Sequence, residues 1–185
     1  MKNLYCRCFA LTCGLLWAMA LHAQAPATEK ADLGSYHKFT LEMGQAHITD
    51  ALNEEGKKAW SVFGAWGLDY DYGFNKHWAL GIHNDMILET VQVEKDSEVK
   101  ERSFPFASSL VASFKPGEHF SFQLGAGGEF AKEGNLFLTK LGVEYGYEIK
   151  KGWEISAAIN YDIKWSTYNS WFLMVGLSKS FFRKK

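Results

Sequence analysis

The chain reads as an all-β protein: an eight-stranded, antiparallel, up-and-down β-barrel that crosses a membrane, preceded by a signal peptide. Three observations carry that reading. Long segments alternate apolar and polar residues with a period of two, so each has one face for an apolar medium and one for a polar medium. The connections between them are minimal on one side and longer on the other. Aromatic residues gather at both ends of the apolar faces.

The alternation is clearest in three consecutive segments, Glu118–Ala131, Leu136–Ile149 and Trp153–Trp165. One parity carries Phe120, Phe122, Leu124, then Leu141, Val143, Tyr145, then Ile155, Ile159, Ile163; the other carries Ser121, Gln123, Glu129, then Lys140, Glu144, then Ser156, Asp162, Lys164. Each is long enough to span, since a tilted membrane strand needs ~9–11 residues.

From the N-terminus, Lys2 and Arg7 precede the apolar run Phe9–Leu21 and the small residues Ala20 and Ala23, the layout of a secretory signal peptide over residues 1–23. That run is shorter than the ~20 residues of a spanning helix. All three cysteines, Cys6, Cys8 and Cys13, fall in the signal peptide, so the mature chain carries no disulfide framework and no thiolate chemistry. Without Lys2 and Arg7 the 20 basic residues become 18 against 21 acidic ones, a balance that argues against nucleic-acid binding. Residues 24–36 form a polar periplasmic leader, and 37–185 the barrel.

Within the barrel, strand one is His37–Ala46, followed by a polar loop, Ile48–Lys57. Strand two is Lys58–Tyr72, and Phe74–Lys76 turns into strand three, His77–Val93, whose inward set includes His83, Asp85 and Glu89. A charged loop, Glu94–Lys100, leads to strand four, Glu101–Phe114, and Lys115–Gly117 turns into the three segments above. Strand eight is Ser170–Arg183. The even count places both termini on one side. Phe39, Tyr72, Trp78, Phe114, Phe120, Tyr147, Trp153 and Phe181 would ring the turn end, and Trp60, Phe104, Phe130, Phe137, Trp165 and Trp171 the loop end.

These features together resemble the eight-stranded outer-membrane barrels of the OmpA/OmpX type: signal peptide, eight alternating strands, Gly-rich inward rows and the near-terminal pair Phe181-Phe182. The resemblance covers the mature chain and is one of architecture. It implies residence in the outer membrane of a Gram-negative-type bacterium, contact with outer-membrane lipid including lipopolysaccharide, delivery by the barrel-insertion machinery, and a monomer. Arg183-Lys184-Lys185 follow the terminal aromatics, where such barrels end on an aromatic.

Eight strands leave room inside for side chains and not for an aqueous pore. The inward polar groups therefore read as a structural lumen charge cluster of Lys140, Asp162, Glu129, Asp85, His83 and Glu144. Counting back from a Lys150–Gly152 turn places Lys140 opposite Asp162. A hairpin tip at Glu133-Gly134 places Glu129 opposite Leu138, one diagonal from Lys140. A divalent cation on His83, Asp85 and Glu129 is a weaker alternative. No cofactor is implied. The function that follows is a non-enzymatic envelope barrel with a side-chain-filled lumen, structural or in contact with a small partner. The alternative is a lipid-acting enzyme similar to the lipid A deacylases, for which His47-Ile48-Thr49-Asp50 resembles the His-x-Ser-Asn element, with His47 and Thr49 as the candidates.

Overall fold

A computed structural model of the chain describes residues 34–53, 56–95, 98–165 and 167–182. The expected signal peptide (1–23), residues 24–33 of the expected leader, and the Arg183-Lys184-Lys185 tail lie outside the described residues.

Ten strands follow in order: β1 (Tyr36–Leu52), β2 (Lys58–Gly73), β3 (Trp78–Ile87), β4 (Thr90–Lys95), β5 (Glu98–Ser103), β6 (Phe106–Phe114), β7 (Phe120–Ala131), β8 (Gly134–Lys150), β9 (Trp153–Lys164) and β10 (Asn169–Phe182). Eight of them, all but β4 and β5, form the wall, each antiparallel to its neighbours. β10 closes the sheet on β1, from Tyr36↔Phe182 to Ile48↔Ser170.

Closure also sets the tilt. Stepping across partners from Lys38 passes Asp71, Gly81, Val111, Gly125, Lys140, Asp162 and Ser170 and returns to β1 at Ile48, ten residues beyond Lys38. Ten residues of ~3.3 Å rise against eight strand spacings of ~4.8 Å give a tilt of about 40°, the value for transmembrane barrels.

The wall presents the apolar parity outward. Leu41, Leu68, Leu124, Val143, Ile159 and Val175 are all exposed, between 40 % and 62 %. Around one end stand Phe39, Trp78, Phe114, Phe120, Tyr147, Trp153 and Phe181, and around the other Trp60, Phe104, Phe130, Phe137, Trp165 and Trp171, all exposed. An exterior this apolar has no partner in water and suits a lipid surround with two interfacial girdles.

Several sequence boundaries are corrected. β1 does not stop at Ala46 but runs to Leu52, with a bulge between Ile48 and Ala51. Its upper part inverts the alternation: Ala46, Ile48 and Ala51 are fully buried while Gln45 and Thr49 are exposed. Expected strands three and four are each broken, at residues 88–89 and 104–105, and the charged stretch between them is a paired hairpin, β4–β5, not a loop. The break releases Glu89 from the inward row, and it is exposed. Phe104 sits at the second break with φ 46°, followed by Pro105; a left-handed non-glycine residue costs ~1–3 kcal/mol. The asymmetry of the two ends rests on this excursion, since the β7–β8 turn at the loop end has two residues, 132–133.

Inside, the barrel has two layers. From the turn end to mid-wall the interior is polar. At the loop end it joins an apolar core of Ala46, Ile48, Ala65, Ile87, Phe172 and Met174, with Val91 and Val93 of the hairpin, to a further buried charge group around Glu129. β4 docks beside β1 at Ala51↔Val93, so the hairpin leans across the mouth and its valines close the core.

Candidate functional site

The interior polar groups fall into three groups stacked along the barrel. Nearest the turns, Lys38 of β1 lies between Glu144 (2.9 Å) of β8 and Glu154 (2.7 Å) of β9, and Lys115 reaches the other oxygen of Glu154 at 3.3 Å.

At mid-wall Lys140 is fully buried, with Nζ 2.6 Å from Asp85 and 3.0 Å from Asp162. The Asp162 contact is an ion pair whose geometry falls short of a hydrogen bond, so Asp85 is the better-aligned partner. Lys140 and Asp162 are direct cross-strand partners. The turn that sets this register differs from the expected one. It is the two-residue turn Lys151 (φ 43°) and Gly152 (φ 79°), the double positive φ of a type I′ turn, with a compensating bulge between Glu148 and Lys150. Next to this pair, His83 lies between Asp69 (3.4 Å) and Asp71 (3.1 Å). Gly81 allows that contact, because a Cβ there would collide with the Asp71 carboxylate. Glu42, only 2 % exposed, has no hydrogen bond or ion pair among the described residues. It is flanked by Gly67 and Gly176 on the two neighbouring strands.

The third group lies under the hairpin. Glu129 accepts from Arg102 Nε (3.0 Å) and Nη2 (2.8 Å), and from the Tyr168 hydroxyl at 2.7 Å, with Lys164 at 3.5 Å. Arg102 Nη1 also donates to the Gly134 carbonyl at 2.8 Å. Lys164 hydrogen-bonds Ser170 and covers the Tyr168 ring at 4.6 Å. Burial and then the Glu129 carboxylate push the Tyr168 hydroxyl, in the β9–β10 connection, well above the ordinary tyrosine range. It therefore remains a donor. The Phe172 ring separates this group from the one below, with the Nζ atoms of Lys164 and Lys140 each 5.5 Å from its centroid.

Against the sequence-derived cluster, the structure joins Lys140, Asp162 and Asp85, keeps His83 beside them on β3, and assigns Glu144 to the Lys38 group. Glu129 is placed elsewhere. The β7–β8 turn is Lys132-Glu133, so Glu129 faces Leu136, not Leu138, and its partner is Arg102. His83, Asp85 and Glu129 thus do not converge, and no group of three or more such residues could hold a metal ion among the described residues. Arg102, Lys38, Glu154 and Tyr168 were not in the sequence cluster. Arg102 was hidden because an unbroken strand Glu101–Phe114 gives it the outward parity of Phe104 and Phe106, and only the break at 104–105 turns it inward; the inward parity of Lys38 and Glu154 was available.

His47 and Thr49 both lie outward on β1, at the loop-end girdle beside Trp171 and Trp60. His47 Nδ1 accepts from the Trp60 indole at 3.1 Å, and the Thr49 hydroxyl lies 3.4 Å from Asp50. The two side chains are not bonded to each other, and no carboxylate contacts His47 among the described residues.

A closed antiparallel barrel of eight wall strands, apolar outside and side-chain-filled inside, is a barrel of the small outer-membrane type. Solved structures share that fold. The attachment invasion locus protein Ail of Yersinia pestis, in complex with the heparin analogue sucrose octasulfate, matches 80 % of this chain and 99 % of its own at 16 % identity and a TM-score of 0.51. The outer membrane protein OprG of Pseudomonas aeruginosa matches 82 % of this chain and 98 % of its own at 14 % identity and a TM-score of 0.51. No protein-family model and no curated protein sequence matches.

Proposed function

We propose that the protein is a non-enzymatic barrel of the outer membrane, exported through its signal peptide, and that it serves the envelope as a closed structural element. The observation that supports this reading is the filling of its interior. Ion pairs occupy the lumen from Lys38 to Lys164, and Val91, Val93 and Phe172 close the loop end with an apolar core. A chain built to pass solutes would not spend three buried lysine and arginine clusters on blocking the passage.

The test is conductance of the purified chain in planar lipid bilayers. The expected trace is flat; reproducible unitary steps would refute a closed barrel. The lipid-enzyme alternative draws on the outward position of His47 and Thr49 at the loop-end girdle. It is tested by fatty-acid release from purified lipopolysaccharide with wild type and His47→Ala. Release that depends on His47 would overturn the non-enzymatic reading.

A further inference from the structure

The lipid-facing wall is not uniform. Across β1, β10, β9, β8 and β7 it carries a groove of about 760 Å³, floored where Ala157 lies between Tyr145 and Val175 and flanked by Met43, Leu173 and Ile159. It crosses four strand spacings of ~4.8 Å, roughly 19 Å, and descends with the tilt from the loop-end half of the wall to Tyr145 and Phe120 of the turn-end girdle.

Apart from the Tyr145 phenol at its lower end, one polar side chain lines it. Gln45 stands at its upper end, exposed on the lipid face, with no hydrogen-bond partner among the described residues. His47, two residues further along the tilted strand and thus about 5 Å higher, pairs with Trp171 and marks the girdle. The Gln45 amide therefore lies just inside the hydrocarbon boundary, where water is scarce and an unpaired amide is unfavourable. That depth is where the carbonyl linking an acyl chain to its headgroup resides. An apolar groove with an amide donor at its outer end is complementary to an acylated amphiphile entering from the outer leaflet.

We infer that this groove is a binding site for one acyl chain of lipopolysaccharide, with the Gln45 amide donating to the carbonyl that links the chain to the headgroup. The inference rests on residence in the outer membrane, which cell fractionation checks separately.

The test uses the full chain, extracted from outer membranes in mild detergent and delipidated. It is titrated with rough lipopolysaccharide and, in parallel, with phosphatidylethanolamine, and bound lipid is counted by native mass spectrometry. Ala157→Trp fills the groove and Gln45→Leu removes its donor; Ala112→Trp makes the same wall change on β6, outside the groove. The expected result is about tenfold weaker lipopolysaccharide binding for each of the first two, the equivalent of ~1.4 kcal/mol, and wild-type binding for Ala112→Trp. Unchanged binding in the groove variants, or an equal loss in all three, would overturn the site. Tighter binding of phosphatidylethanolamine than of lipopolysaccharide would overturn the choice of lipid. A wild-type dimer abolished by Ala157→Trp with lipid binding unaltered would make the occupant a second copy. Should Ala157→Trp not fold, Gln45→Leu, whose side chain suits a lipid wall, carries the same comparison against Ala112→Trp.

Discussion

Replacing Lys140 with Met would leave Asp85 and Asp162 facing each other across a dry lumen. Both carboxylates are buried, at 2 % and 0 % exposure, and both have Lys140 as their ion-pair partner. Removing one member of a buried ion pair costs ~3–5 kcal/mol, because the remaining charge has neither water nor a counter-ion. With a urea dependence of ~2 kcal/mol per molar, the midpoint should fall by ~1.5–2.5 M. Unfolding of the refolded barrel in lipid vesicles, followed by tryptophan fluorescence, measures it. The partner is then identified by double-mutant cycles. Lys140→Met with Asp85→Asn should show a coupling of ~0.5–3 kcal/mol, whereas Lys140→Met with Glu129→Gln should be additive, because Glu129 belongs to the Arg102 group. The triple variant Lys140→Met, Asp85→Asn, Asp162→Asn should regain much of the loss, since no unpaired charge remains. A midpoint unmoved by Lys140→Met, or coupling to Glu129 in place of Asp85, would refute this reasoning.

Three further outcomes are expected. Val143→Arg, on the exposed wall at mid-height, should cost ~2–4 kcal/mol in the same assay; no change would mean that Val143 does not face lipid. Glu42→Gln should leave the midpoint unchanged or raise it, because the carboxyl it replaces is buried without a partner; a fall of more than ~1 kcal/mol would reveal a partner for the carboxylate. Arg102→Leu removes the clamp from β5 to Glu129 and the Gly134 carbonyl, so limited proteolysis should cut the β4–β5 hairpin faster while the wall stays resistant; an unchanged cleavage rate would show that the valines alone hold it.

Most of the wall was legible in the sequence because a barrel strand meets lipid on one face along its whole length. Phe122, Leu124 and Ala126 repeat that demand every second residue, and Trp78 and Trp171 mark where it ends. The register of Lys140 on Asp162 was also reached, because a short turn transmits its geometry along both strands and the bulge between Glu148 and Lys150 offsets the one-residue difference between the expected turn and Lys151-Gly152. That transmission failed at β7–β8. Moving the turn from Glu133-Gly134 to Lys132-Glu133 carried Glu129 from opposite Leu138 to opposite Leu136, and so out of reach of the Lys140 group.

The loop end shows what alternation alone could not decide. Period two states that two faces differ, not which of them meets which medium. In β1 from Gln45 to Ala51 the polar residues face out and Ile48 and Ala51 face in, so the same signal that marks a lipid wall below reads as a polar loop above. The interior there is apolar because β4 leans over the mouth and lays Val91 and Val93 against Ile48 and Phe172, contacts between segments far apart in the chain. Likewise, the choice of Asp85 for Lys140 and of Arg102 for Glu129 is made across the lumen, between strands that share no turn. Local pattern by itself determined most of the wall strands and the neighbour pairing across β8–β9; the folding of the sheet into a closed barrel decided which charges meet across the interior, since it brings those distant strands within ion-pair distance.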